Sequence, residues 1–497
     1  MKNYKKVYAA FILAGGLILH GCNGIFDDLA INPNQPSMGA YFTSPSAVND
    51  AVMTMYGYMS TQRCLGASGS KTTIIRSDEA SSNSDYGKPG MFGADLNASY
   101  YTIEQPYTLM YTTASQASYI IETAPSVDFS GNEEMRNAYM GEAYFWRAFA
   151  HYYLLINFRN ISPIRQMPRN GDDYVRPLEK PAAVWDFIQE DLAHAKELLP
   201  VKGYWDSKNA GRVTKASAAA LLGKAYLYRS GIEQYYGEDK TTFYSEAAKE
   251  FGDVIDGKYG TYDLTKNYAD NFDVAHENNE ESILEFQFLG DVDNAGFNPG
   301  LATSGLAFDS RGLMLPGAGV GYEGVVHNWL YNAFVNSVDK DGYTDIRMFS
   351  TMIFNDLDAS IHLRNDAGGN PVRLEGPGGY KWEELYPAKN GKEGFATVSN
   401  PLAHSFKAGI RKGIDCSMPT QTEADGTPKL VGVGAGVKEY VYNQPRAHGV
   451  NWRYIRYADV LMMYAESVVS GGTPASNMTP LQAVNKVRGR ANMSELP

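Results

Sequence analysis

Leu222-Gly223-Lys224-Ala225-Tyr226, followed by Ala247-Ala248-Lys249-Glu250-Phe251, is the stretch that decides the fold. Both segments read as helices. Thr214 is placed to cap the first, whose apolar residues Ala218, Leu221, Leu222, Ala225 and Tyr226 recur at helical spacing. Gly223 and Ala247 remove bulk where two helix backbones would meet, and Tyr226 and Phe251 fill the space beside them. The two segments predict a packed helix pair, with residues 232–242 as the loop between its halves.

The same pattern extends in both directions. Ser130 as cap and Glu133 three residues later open a helix with Met135, Tyr139, Ala143, Trp146, Ala150 and Tyr153 on one face. Pro181 sits as the first-turn proline of the next, with Val184, Trp185, Ile188, Leu192, Ala195 and Leu199 on its apolar side and Pro200 as its stop. Towards the C-terminus, Tyr457, Leu461, Tyr464 and Val468 share a face, and Gly471-Gly472-Thr473-Pro474 breaks the helix. Thr479-Pro480-Leu481-Gln482 then combines a cap, a first-turn proline and a capping-box glutamine, opening a stripe through Leu481, Val484 and Val487 to Ala491. With helical stretches at residues 46–60 and 106–121, about four pairs result, enough to bury a shared core.

The L-G-x-x-Y and A-x-x-x-F spacings are those of the two helices of a tetratricopeptide repeat, but the connection between them is longer than the standard one. The expected fold is therefore mainly α, built of irregular tetratricopeptide-like helix pairs. Residues 263–451 contrast with this. They are rich in Gly, Asn, Asp and Pro, with short apolar runs such as Ile283-Leu284-Glu285-Phe286-Gln287-Phe288 and a helix at residues 326–336. They read as a loop-rich subdomain containing short strands, the kind of region where binding usually lives.

Apolar residues make up 44% of the 497 and charged residues 20%, which places the chain among globular proteins. Basic residues number 44 against 56 acidic, a net charge of −12. Such a body lacks the basic footprint that phosphates demand, so no nucleic acid is expected as a partner. Lys2, Lys5 and Lys6 precede the thirteen-residue apolar run Val7 to Leu19. That run is shorter than the roughly 20 residues of a spanning helix and fits a signal peptide. Gly21-Cys22, with Leu19 three residues before the cysteine, resembles a bacterial lipobox, which makes Cys22 the acylated first mature residue. Two or more acyl chains give a stable anchor. Of the three cysteines, Cys64 and Cys416 lack metal-ligand spacing and have the option of pairing in an oxidising compartment.

Further motifs carry a family resemblance. They are Glu142-Ala143-Tyr144-Phe145-Trp146-Arg147-Ala148, Gly211-Arg212-Val213-Thr214-Lys215-Ala216-Ser217-Ala218 and Asp345-Ile346-Arg347. To these are added Arg456-Tyr457-Ala458-Asp459-Val460-Leu461-Met462-Met463-Tyr464-Ala465-Glu466 and Val484-Asn485-Lys486-Val487-Arg488-Gly489-Arg490-Ala491. In this order, behind the lipobox, they resemble the SusD/RagB family of Bacteroidetes outer-membrane lipoproteins, and the Arg456 to Glu466 block is the most specific. The resemblance implies a tetratricopeptide-like scaffold with an irregular subdomain, and capture of glycans or, in some members, peptides. It also implies a place as the lid of a TonB-dependent outer-membrane transporter of the SusC kind. Asp27 and Asp28 resemble the family's surface-export signal, which implies an extracellular-facing location. The implied division is residues 1–21 as signal peptide, 22–262 as helical region and 263–497 as loop-rich then helical region. Family members run on past the last motif, so the resemblance implies that the sequence ending at Pro497 is either truncated at its C-terminus or lacks part of the family fold. The family arginines Arg147, Arg488 and Arg490 read as pairing or capping groups, and Arg456 and Asp459 as an i,i+3 pair.

Catalytic signatures fail position by position. His276-Glu277-Asn278-Asn279-Glu280 has Glu where a zinc site needs its second His. Asp339-Lys340-Asp341-Gly342 puts Ser337 and Met348 where a calcium loop needs acids, so it reads as a turn. No cofactor, metal or enzymatic activity is expected; the alternative is a surface lipoprotein that hydrolyses glycans. Ligand candidates are chosen by composition. Asp78, Asp85 and Tyr86 lie in the polar stretch Ser77 to Tyr86, and Tyr322 and Trp382 lie in Gly-containing loops. Aromatic faces beside carboxylates suit the apolar faces and hydroxyls of sugars.

Overall fold

Thr214 opens the deciding helix: its backbone N–H donates to Ser217 Oγ at 3.1 Å, and Ser217 Oγ also donates to the Ile283 carbonyl at 2.6 Å. The computed structural model describes residues 42–61, 63–66, 76–81, 98–167, 175–237, 240–288, 325–354, 360–365 and 450–497, with positions 73, 173 and 424 and strands at 408–410, 430–432 and 438–440. Among these residues the helices are α1 (Pro45–Ser60), α2 (Tyr101–Thr123), α3 (Glu133–Phe158), α4 (Pro181–Leu198), α5 (Lys215–Tyr236), α6 (Tyr244–Ile255), α7 (Asn328–Val335), α8 (Arg347–Thr351), α9 (Tyr457–Val469) and α10 (Pro480–Arg490). The strands are β1 (Ala80–Ser81), β2 (Ser282–Phe286), β3 (Val325–Val326), β4 (Met352–Phe354), β5 (Ala408–Ile410), β6 (Leu430–Gly432), β7 (Lys438–Tyr440) and β8 (Trp452–Arg456). The fold is mainly α, as the periodicities predict.

Helices α1 to α6, then α9 and α10, pack each on the next and share one core. In the deciding pair, a Cβ on Gly223 would lie 2.8 Å from Phe251 Cε1, so only glycine allows α5 and α6 this approach. Gly211, at φ +83°, turns the chain into α5 with its Cα against the Gln287 side chain. The predicted apolar faces of α3 and α4 are buried: Tyr139, Ala143, Trp146, Ala150 and Tyr153 on α3, and Val184, Trp185, Ile188, Leu192 and Ala195 on α4. Local details differ from expectation. The cap of α3 is Asn132, whose side chain accepts from Met135 N at 3.1 Å; Ser130 instead takes φ +53° in the turn before it. Helix α5 continues to Tyr236, five residues into the expected loop, because Glu233 is buried against Arg159 and Trp185. On α10 the buried residue is Ala483, with Val487 packed at the core margin and Leu481 exposed, so the stripe is rotated from the one read in sequence. Pro106 lies inside α2.

Family arginines bond the scaffold. Arg147 forms a bidentate pair with Asp191, both bonds 2.7 Å, joining α3 to α4. Arg490 Nη1 reaches Glu281 at 2.8 Å, Arg488 Nε donates to the Ser494 carbonyl at 2.8 Å, and Arg456 pairs with Asp459 at 3.1 Å. Arg212 grips Glu142 through Nε at 2.9 Å and Nη2 at 2.5 Å, while Tyr56 OH donates to the same carboxylate at 2.6 Å. That clasp ties α1, α3 and the entry to α5 together. Burial pushes the Glu142 carboxyl above its usual range, even against the pull of Arg212.

Strands β2 and β8 pair antiparallel, Ser282 opposite Arg456 and Phe286 opposite Trp452. They bracket the loop-rich region, so it leaves and re-enters the scaffold at one ladder. Phe286 and Tyr454 seat that ladder on α3, with ring centroids 5.6 and 5.3 Å from Phe149. Beyond it, a small sheet of order β1-β3-β5-β4 covers a second core of Val326, Tyr331, Met348, Met352, Phe354 and Ile361.

Candidate functional site

Residues 76–81 cross from the scaffold to the loop-rich subdomain. Arg76 Nη1 donates to Asn157 Oδ1 at 3.4 Å, at the end of α3. Ala80 and Ser81 pair with Val326 and Val325, and the Glu79 carbonyl accepts from His327 N at 2.9 Å. The Asp78 carbonyl accepts from Trp329 Nε1 at 2.7 Å. Two successive carbonyls of this strap thus meet the start of α7, and its last two residues pair with β3.

Helix α7 has two faces. Leu330, Tyr331, Phe334 and Val335 pack into the second core. Trp329, Asn332 and Ala333 point the other way and are exposed, Trp329 at 50%. A tryptophan half exposed on a polar loop surface is unusual, since it leaves a large apolar ring in water. Its N–H is already used by Asp78, so the ring is fixed and offers its face rather than a donor. Asp78 and Glu79, in the strap bonded to it, are exposed residues whose carboxylate oxygens are acceptors. An apolar plate flanked by acceptors suits a sugar ring, with its C–H face and its hydroxyls.

Asp78 is thus brought to an aromatic, Trp329. Asp85, Tyr86, Tyr322 and Trp382 lie outside the described residues, as do Cys22 and Cys416. Cys64 is fully buried, and burial pushes its thiol up to about 12. Trp329 was passed over in the sequence because residues 326–336 read as a helix of the subdomain. The signal was present: Leu330, Tyr331, Phe334 and Val335 make the apolar stripe, and position 329 falls off it.

Two strongly shifted groups in the scaffold, His151 and Asp191, have structural partners. His151 is fully buried; its Nδ1 bonds the Arg147 carbonyl at 2.8 Å and its Nε2 accepts from Ile164 N at 2.9 Å, the pattern of a neutral ring. Burial pushes its pKa down to about 3. Asp191 is pushed up by burial while paired with Arg147. Among the described residues no group of His, Cys, Asp and Glu is placed to hold a metal ion. The Asp339 carboxylate accepts from Asp341 N at 2.9 Å and Tyr343 N at 3.1 Å and pairs with Arg364, which makes the 339–342 stretch a turn. Among the described residues no helix is long and apolar enough to cross a membrane.

Known proteins match this chain along its length. A family model described as "Starch-binding associating with outer membrane" matches residues 31–227, and one described as "SusD family" matches residues 420–497. The chain belongs to the SusD/RagB family. A SusD-like protein of Bacteroides ovatus is 24% identical over 503 residues, covering all of this chain and 78% of that one. SusD-like protein P2 of Formosa agariphila is 26% identical over 305 residues, covering 60% of this chain and 55% of that one. Among solved structures, a SusD superfamily protein from Bacteroides vulgatus superposes with TM-score 0.65 at 20% identity, over 92% of this chain and 82% of that one. A laminarin-binding SusD-like protein gives TM-score 0.59 at 20% identity, over 92% and 86%. A structure with a xylogluco-oligosaccharide gives 0.58 at 20% identity, over 90% and 76%. The SusD/RagB membership fits the helical scaffold with its small sheet, and the family motifs read in the sequence coincide with the buried arginine pairs described above.

Proposed function

We propose that this SusD/RagB protein captures glycans without transforming them, on the plate formed by Trp329 beside Asp78 and Glu79. The observation that carries the reading is the exposed Trp329 ring, fixed by the bond from its Nε1 to the Asp78 carbonyl. A ring already fixed loses little freedom when a sugar stacks on it. Fold relatives described as laminarin-binding, or solved with a xylogluco-oligosaccharide, support a glycan as the ligand class over a peptide. Asp85, Tyr86, Tyr322 and Trp382 are proposed to add contacts around the same ligand. Acylated Cys22 anchors the mature protein to the outer membrane, facing outwards, where it hands its ligand to a TonB-dependent transporter of the SusC kind.

A glycan array on the mature protein identifies the ligand, and calorimetry on Trp329→Ala then tests the plate. A hot-spot aromatic truncated to alanine loses about 2 kcal/mol or more of binding. Wild-type affinity in that variant would remove the plate from the site. New reducing ends released from the bound glycan would favour the hydrolase instead.

A further inference from the structure

Helix α5 is mostly buried, yet its last three turns present a stripe to solvent. The exposed positions there are Tyr228, Gly231, Gln234, Tyr235 and Tyr236. Tyr228, Gly231 and Tyr235 stand at i, i+3 and i+7, so they form one row along the helix. Seven residues at about 1.5 Å each set the two tyrosines about 10 Å apart along the axis. Tyr235 and Tyr236 are 82% and 72% exposed and Tyr228 39%. The rings of Tyr235 and Tyr236 meet edge to face, with centroids 4.9 Å apart. So many large rings left in water on one helix mark a contact surface.

Gly231 is a second and independent observation. The other glycine of the helix, Gly223, is required by the Phe251 ring. At Gly231 a Cβ would meet nothing within 4 Å, and its φ is not positive. Glycine weakens a helix relative to alanine, so neither packing nor backbone geometry accounts for it. Its effect is an open floor between two rings. The end of the helix that carries them is held firmly. Glu233 accepts from Arg159 Nη1 at 3.0 Å, from Arg159 Nη2 at 2.9 Å and from Trp185 Nε1 at 3.1 Å, and Lys240 Nζ donates to the Gln234 carbonyl at 2.7 Å. Rings on a fixed support lose little freedom on binding.

We infer that this stripe is a second glycan-binding surface, where two sugar residues of one neutral chain stack on Tyr228 and Tyr235 and the sugar between them lies over Gly231. Charge selects the occupant. The Glu466 and Asp459 carboxylates of α9 act on the Tyr228 phenol, and Glu466 is exposed. An anionic ligand would be repelled there, whereas sugar hydroxyls find acceptors, and Gln234 offers an amide towards the other ring. None of the exposed positions carries an aliphatic side chain; Ile232 packs on the core instead. A protein partner would need an apolar centre to its interface, while rings with polar tips suit the hydroxylated faces of sugars. The ligand class rests on the reading given above, but none of these residues belongs to the strap or to α7.

The test is affinity electrophoresis of the mature protein through gels holding laminarin, xyloglucan or amylopectin. At least one of the three is expected to retard the wild type. In that gel the Tyr228→Ala/Tyr235→Ala variant should bind about fivefold more weakly, and Trp329→Ala should keep a residual affinity that disappears when all three changes are combined. Gly231→Leu fills the floor and should weaken binding as much. Its melting temperature should not fall, because leucine is the better helix former. Retardation like wild type in the double tyrosine variant or in Gly231→Leu overturns the second surface; the Trp329 plate then stands if Trp329→Ala alone abolishes binding. Loss in the tyrosine variant with none in Trp329→Ala upholds the second surface and removes the plate. No retardation of the wild type in any gel overturns both. Should Tyr228→Ala disturb the fold, the more exposed Tyr235→Ala decides alone, and unchanged retardation in it overturns the assignment.

Discussion

The helical scaffold and the loop-rich subdomain hold themselves together differently. In the scaffold, helices of 11 to 26 residues bury continuous apolar faces and cross-link through buried ion pairs such as Arg212–Glu142 and Arg147–Asp191. In the subdomain, strands of two or three residues and a six-residue core carry the described structure. A helix satisfies its own backbone and spends its side chains on packing. A two-residue strand satisfies almost nothing alone and is held by whatever crosses it, as β1 is held by β3. The difference teaches where change is tolerated: the scaffold resists substitution, while the subdomain is free to vary what it presents.

The sharpest way to break this contrast is Arg212→Met. It leaves Glu142 buried with only Tyr56 to bond it, and orphaning a buried charge costs roughly 3–5 kcal/mol. Denaturant unfolding measures the loss; a loss under about 1 kcal/mol would mean the clasp does not hold α1 and α3 together. Gly223→Leu comes next. The new side chain meets the fully buried Phe251 ring, and overpacking of this kind costs about 1–3 kcal/mol or more. A melting temperature equal to wild type would show that α5 and α6 are not tightly apposed there. Trp329→Ala tests the other side of the contrast, since an exposed ring contributes within about 0.5 kcal/mol to folding while supplying the binding face. A large loss of stability in that variant would make Trp329 a structural residue.

Acid sharpens the comparison further, through His151. Burial pushes its pKa from 6.5 down to about 3. Between those values the unfolded chain binds a proton that the folded chain excludes, so stability falls as pH drops through that window. The contribution lost by pH 5 is about 2 kcal/mol. Unfolding midpoints at pH 7 and pH 5 should differ accordingly, and the part due to this ring should vanish in His151→Gln. An identical pH dependence in the variant would mean that the ring is not the group excluded.

Much of the fold was legible because its signals are local. Thr214, Pro181 and Thr479 mark helix starts through groups within a single turn, and the apolar spacing of α3, α4, α5 and α9 needs only the period of the helix. Where local signals competed they misled. Ser130 read as the cap of α3, but the turn gives it a positive φ and the Asn132 side chain caps the helix instead. The extension of α5 to Tyr236 depended on Arg159, 74 residues away from Glu233. The candidate site was less legible than the fold. Composition drew attention to Asp78, but no local signal tied it to Trp329, 251 residues away.

The amino-acid sequence by itself determined that this chain is a set of paired helices interrupted by one loop-rich region, and it carried the motifs of its family. Periodicity, capping and small-residue spacing act within a few residues, so they survive without any knowledge of the fold. Only the tertiary structure decided which groups meet: Arg212 with Glu142 across 70 residues, and Trp329 with Asp78 across 251. No local rule links such pairs, because their encounter is fixed by the packing of every helix between them. For the same reason the outward face of Trp329 became visible only when the chain was folded.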